Sequence, residues 1–239
     1  MRLYGRNPVL ERIKANPGSI KELYLQQKTD LSGLVKEARR QGLTFDSVDK
    51  AGFSKLCGDV NAQGVLAEVE DYRYTPFSGL LKEAREKGRV PVFLDRVTDP
   101  QNLGSIIRNL ACLGGFSLVL PEHGSCHVNE TVLRVACGGE NYLPISKVVN
   151  TVRGVTMAIE EGFWIAGAVA EGGEDILKRD LKFPLAVVIG SEGKGIRPGL
   201  KKQLDAGLSL PMSGARLSYN VAVAASLFCY EINRRKRTK

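Results

Sequence analysis

Three segments of this chain crowd glycine, amide, hydroxyl and charged side chains beside apolar runs. The first is Leu94-Asp-Arg-Val-Thr-Asp-Pro-Gln-Asn-Leu-Gly-Ser-Ile-Ile-Arg-Asn109. The second is Val188-Ile-Gly-Ser-Glu-Gly-Lys-Gly-Ile-Arg-Pro198. The third is Leu208-Ser-Leu-Pro-Met-Ser-Gly-Ala-Arg-Leu-Ser-Tyr-Asn-Val-Ala-Val-Ala-Ala225. The middle one holds a glycine-rich turn, Gly190 to Gly195, after an apolar run. Such a turn is a candidate phosphate cradle, but this one is not a P-loop. No Ser or Thr follows Lys194, and the glycine spacing differs. It is not G-x-G-x-x-G either, so the dinucleotide fingerprint is missing. Taken alone, it is a tight strand-to-helix connection.

The polar side chains of these segments each have a plain reading. Asn102 precedes an apolar helix and reads as its cap. Arg108, one position past Ile107, reads as a solvated helical arginine. Glu192 reads as a carboxylate that stabilises a following helix start. Ser218 and Asn220 begin the last helix and read as capping residues. No histidine lies in any segment, so the commonest general base is missing.

Around these segments the pattern is alternating strand and helix. Up to about residue 70 it is a small α/β unit. Asn7-Pro8 reads as a helix start, Glu22–Leu25 and Leu43–Val48 as strands, and Leu31–Gln41 as a helix. Asp49 caps a short helix through Cys57, and Gly64–Val69 is a further strand. Tyr72–Arg89 reads as a linker with a helical piece, Leu80–Lys87. The expected domains are therefore 1–71 and 90–239, joined by 72–89. The second has apolar strands at Val90–Leu94, Phe116–Leu120, Phe163–Val169 and Leu185–Ile189, with a short one at Leu208–Leu210. Helices are expected over Leu103–Leu113, Thr131–Cys137, Val149–Glu161, Pro198–Leu204 and Ser218–Ile232. Continuous apolar strands between helices argue for a parallel sheet covered on both faces.

Charge and composition narrow the class. The net charge is +8 and the isoelectric point is near 9.3, which favours a polyanionic partner such as RNA or DNA. Arg2, Arg6, Lys28 and the basic tail Arg234–Arg237 are candidate phosphate contacts, although each also reads as a solvated charge. Five cysteines without a C-x-x-C pair read as reduced thiols of a cytoplasmic protein. His123, Cys126 and His127 lack a second pair of ligands, so no metal is expected. No apolar run is long enough for a membrane span.

In order, spacing and content the three segments resemble the motifs of the SpoU/TrmH family of RNA ribose methyltransferases, within the SPOUT superfamily. The amino-terminal unit is similar to the L30e-like substrate-binding domain of RlmB-type members, and the resemblance spans essentially the whole chain. It implies an α/β fold whose carboxyl-terminal parallel-sheet domain carries a deep trefoil knot, a rare exception to chain-threading rules. It implies S-adenosylmethionine as cofactor, homodimers with the active site at the interface, and methylation of a ribose 2′-hydroxyl. Cofactor contacts fall at Ile189, Gly190, Leu210, Met212 and Tyr219, the last standing where a small aliphatic residue is usual. Asn102, Arg108, Glu192, Ser218 and Asn220 fall in the catalytic site. Arg108 would bind a phosphate and polarise the hydroxyl, because a guanidinium stays protonated. Glu192 or water would take the proton. A guanosine of large-subunit rRNA is the favoured substrate. A tRNA ribose, or a non-catalytic RNA-binding assembly factor supported only by Tyr219, are the alternatives.

Overall fold

The computed structural model describes residues 1–191, 193–215 and 217–237. They form two sheets. The smaller contains β1 (Arg2–Tyr4), β2 (Ile20–Gln26), β3 (Asp46–Val48) and β4 (Val65–Val69), in the order β1-β4-β2-β3. Strand β4 runs antiparallel to β1 and β2, and β3 is parallel to β2. Helices α1 (Arg6–Ala15), α2 (Ser32–Arg40) and α3 (Lys50–Cys57) accompany it. Asp49 caps α3 by accepting from the Gly52 amide at 2.7 Å. Helix α1 starts before the expected Asn7: Gly5, at φ 97°, is the cap, a conformation that suits glycine.

The larger sheet is built from β5 (Val90–Asp95), β6 (Phe116–Pro121), β7 (Ile145–Val148), β8 (Trp164–Ala168), β9 (Glu174–Asp175), β10 (Leu185–Gly190) and β11 (Ala206–Ser209). Its order is β7-β6-β5-β10-β8-β11-β9, and every neighbouring pair is parallel. Side chains alternate between two cores, as the period of two requires. Val90, Val92 and Leu94 enter one core and Phe93 the other. The first core takes apolar residues of α5 (Pro100–Leu113) and α9 (Val221–Arg237). The second takes those of α4 (Phe77–Glu86), α7 (Thr151–Glu160) and α8 (Pro198–Lys201). Helix α4 starts before the expected helical piece, and its Leu80, Leu81 and Ala84 are buried in that second core.

Successive strands run outward from β5 in one direction, while β10, β8 and β11 lie on its other side. The order therefore reverses between β5 and β10. In open α/β sheets, ligands bind beyond the carboxyl ends of strands at such a reversal.

The two units are firmly joined. Leu133 of α6 (Glu130–Ala136) is buried in the core of the smaller unit. Arg12 and Glu140 form an ion pair of 2.8 Å with both side chains buried. Arg2 is held as well: its guanidinium donates to the Cys57 carbonyl at 3.0 Å and its amide to Glu130 at 2.7 Å. That is a structural role for one expected phosphate contact.

Candidate active site

Strand β10 ends at Ile189-Gly190, in register with Leu94-Asp95 of β5. Beyond it lies a cavity of ≈ 210 Å³ at the carboxyl ends of β8, β10 and β11. Ile189, Gly190, Leu210, Met212 and Tyr219 all line it, and so does Ser218. Val221 and Phe228 of α9 add to the apolar wall. Among the described residues no charged side chain lines this cavity. Such a lining suits a ligand with an apolar planar part, held by backbone groups and a few hydroxyls. Among the described residues it lacks the cations a phosphate-rich ligand would need.

The turn after β10 is pinned from several sides. A Cβ on Gly190 would lie 2.1 Å from the Gly195 carbonyl carbon, so only glycine lets the chain double back here. The Gly195 amide donates to the Ser191 carbonyl at 2.9 Å. Asp95, fully buried at the end of β5, accepts from the Arg197 amide at 3.1 Å and pairs with the Arg197 guanidinium at 2.6 Å. Arg96, at φ 63°, donates to the Gly195 carbonyl at 3.3 Å. Backbone in this region of φ is strained and concentrates at functional sites. Asp95 and Arg197 stand inside the first and second segments, yet neither stands out there by type or spacing. Their pairing joins positions 102 residues apart, which no local pattern reveals.

A second link joins α5 and α9. The Asn220 side-chain amide donates to the Asn102 side-chain oxygen at 2.9 Å. The Asn220 oxygen accepts from the Ala222 amide at 2.9 Å, so Asn220 also caps α9, which begins at Val221 rather than Ser218. Asn102 is not the cap of α5. That role belongs to Asp99, which accepts from the Gln101 amide at 3.0 Å, and Asn102 is buried inside the first turn. Further along, Asn109 donates to Ser226 at 2.7 Å and Asn233 to the Leu113 carbonyl at 2.9 Å. Polar ties thus run the length of the helix pair. Cys229, buried in the same helix, has its thiol pushed up by desolvation and packs as a neutral core group.

Arg108 is exposed on α5 and does not line the cavity. Six residues from Asn102, it projects about 120° around the helix from it. Its backbone lies against Gly139, where a Cβ would come 3.0 Å from the Arg108 Cα. Glu192 lies outside the described residues. The structure therefore gathers the expected cofactor residues with Ser218 in one cavity and pairs Asn102 with Asn220, while Arg108 is not among the residues that line that cavity.

The description "SpoU rRNA Methylase family" fits residues 89–230, and "RNA 2′-O ribose methyltransferase substrate binding" fits residues 2–75. The chain belongs to the SpoU rRNA methylase family. It is an RNA 2′-O-methyltransferase that uses S-adenosylmethionine. Relatives of similar length support this. The 23S rRNA (guanosine-2′-O-)-methyltransferase RlmB of Shewanella oneidensis is 32% identical over 241 residues, covering 99% of this chain and 98% of the relative. YacO of Bacillus subtilis, described as a TrmH family tRNA/rRNA methyltransferase, is 34% identical over 237 residues, covering 97% of this chain and 94% of the relative. The SpoU methyltransferase AviRb of Streptomyces viridochromogenes, solved with AdoMet, has the same fold at a TM-score of 0.79 and 23% identity, covering 100% of this chain and 91% of that one.

Proposed function

We propose that this SpoU-family methyltransferase methylates the ribose 2′-hydroxyl of a guanosine in large-subunit rRNA, in the cytoplasm and as a homodimer. The observation that carries the reading is the cavity at the strand reversal, where Ile189, Gly190, Leu210, Met212, Tyr219 and Ser218 meet and no described residue brings a charge. Its apolar walls and backbone groups fit S-adenosylmethionine, which has no phosphate. When bound, that group supplies a methyl on a positively charged sulfur.

In this reading residues 1–71 are an L30e-like RNA-binding domain, 72–89 a linker, and 90–239 the methyltransferase domain with its trefoil knot. The knot is supported by β10 lying between β5 and β8 and by α9 returning beside α5. Dimerisation is supported by Val223, Leu227 and Tyr230, which are 46, 41 and 60% exposed at helical spacing on α9. A solvent-facing apolar stripe of this kind suits a second copy.

Asn102 and Asn220 hold each other, and together with Ser218 they position the ribose. In-line orientation is the main demand of the reaction. Arg108 binds a neighbouring phosphate and polarises the 2′-hydroxyl, and Glu192 or water takes the proton. Arg108→Lys keeps a charge but loses the planar fork. It is expected to lower turnover at least tenfold with little change in RNA affinity, and near-normal turnover would remove a specific guanidinium role. The substrate is tested by incubating protein-free 23S rRNA with the protein and S-adenosylmethionine, then mapping 2′-O-methylation. A single modified guanosine supports the reading. Modification of tRNA alone would replace it.

A further inference from the structure

Three stretches carry nearly all of the chain's net charge of +8. Residues 82–89, 178–185 and 231–237 together hold eleven basic and four acidic side chains, an excess of seven. They are far apart in sequence but meet at the amino-terminal edge of the large sheet. There Val90 begins β5 and Leu185 begins β10. The Lys236 ammonium donates to the Gly88 carbonyl, and Arg235 donates to the Arg179 carbonyl at 2.6 Å. A cavity of ≈ 470 Å³ opens between them, lined by Arg85, Arg89 and Lys236 with Phe183, Pro184 and Leu185.

Local carboxylates neutralise only part of this charge. Glu231 pairs with Arg234 and Arg235 at 2.8 and 2.6 Å. Glu83 lies 2.8 Å from Lys87 and 3.7 Å from Arg89, Glu161 lies 4.0 Å from Arg85, Glu174 lies 3.2 Å from Arg179 and Asp175 lies 4.0 Å from Lys178. Among the described residues no carboxylate pairs with Lys236. Burial, and then the neighbouring Arg89 charge, lower the Lys236 pKa. Basic residues complement the carboxyl ends of α4 and α9 taken singly. That effect does not explain why two helix ends and the 178–185 stretch bring their charge to one hollow.

We propose that this edge is a second RNA-binding surface, which takes the phosphodiester backbone of the substrate RNA away from the reacting ribose. The six-residue strands separate the two ends of the sheet by roughly 20 Å, so binding here requires a substrate larger than the modified nucleotide. The inference rests on the RNA reading above, because an extended polyanion is what engages both ends.

The test is the salt dependence of binding to protein-free 23S rRNA. Removing one phosphate-binding cation lowers the slope of log K against log salt by about 0.7 to 0.9. The triple variant Arg85→Gln, Arg89→Gln, Lys236→Gln is expected to lower the slope by about two and weaken binding at least tenfold. Turnover at saturating RNA and S-adenosylmethionine affinity stay at wild-type levels. Should the triple variant melt early, the pair Lys178→Glu, Lys182→Glu, exposed in the 178–185 stretch, is expected to lower the slope and the affinity in the same direction. A wild-type slope in a folded variant overturns the surface. Methylation by the wild-type protein, measured alongside, separates the two claims. A lowered slope without methylation sinks the proposed function and leaves the surface standing. Methylation with an unmoved slope does the reverse.

Discussion

Asn220 and Asn102 lie 118 positions apart, yet the side-chain amide of one donates to the side-chain oxygen of the other at 2.9 Å. The same Asn220 oxygen caps α9 through the Ala222 amide. One side chain therefore starts a helix and ties the third segment to the first.

The two jobs can be separated by substitution. Asn220→Ala removes both and is expected to cost about 1–2 kcal/mol of stability together with most of the turnover. Asn220→Ser keeps a capping oxygen but is too short to reach Asn102. Thermal melting should then recover most of the loss while turnover stays low. Equal recovery of both would reduce Asn220 to a cap.

The Asp95–Arg197 pair fixes the turn that follows β10. Asp95→Ala leaves the Arg197 guanidinium without its buried partner and is expected to cost about 2–4 kcal/mol. Denaturant unfolding measures this. The double variant Asp95→Ala, Arg197→Met removes the stranded charge and should regain part of the stability. Its affinity for S-adenosylmethionine should remain reduced, because the turn has lost this anchor.

Acid should loosen the last turns of α9 before the cores. The Glu231 carboxyl is held down at about 2 by its hydrogen bond to Arg234, joined by Arg235, against an ordinary value of 4.5. Its folded value is the lower one, so its stabilisation is fully present above about pH 4.5 and is lost as pH falls towards 2. Melting temperatures of wild type and Glu231→Gln should differ at pH 7 and converge near pH 2. A constant gap would show that the ion pair is not the cause.

Much of this fold is legible in the sequence, for physical reasons. Strands β5, β6 and β10 are buried on both faces, so they read as unbroken apolar runs, and α5 carries its stripe openly. Strands β1 and β7 are not legible, because three or four residues show no period. Strand β9 has two residues and exists only through its pairing with β11. The expected start of α9 falls too early because Ser218 and Asn220 are both plausible caps, and only the Ala222 contact decides between them. The cavity residues stand in the quoted segments, and the resemblance supplies their role. What tertiary structure adds is pairing at a distance: Asp95 with Arg197, Arg12 with Glu140, and three charged stretches at one edge.

The central claim is that the cavity beside Gly190 holds the methyl donor. Calorimetric titration of the wild-type protein and Gly190→Ala with S-adenosylmethionine tests it most directly. Wild type should bind in the micromolar range. Gly190→Ala should bind at least tenfold more weakly, because its methyl group cannot coexist with the Gly195 backbone 2.1 Å away. A folded wild-type protein that takes up neither S-adenosylmethionine nor S-adenosylhomocysteine would contradict the account and turn attention to Tyr219 in the wall of the cavity.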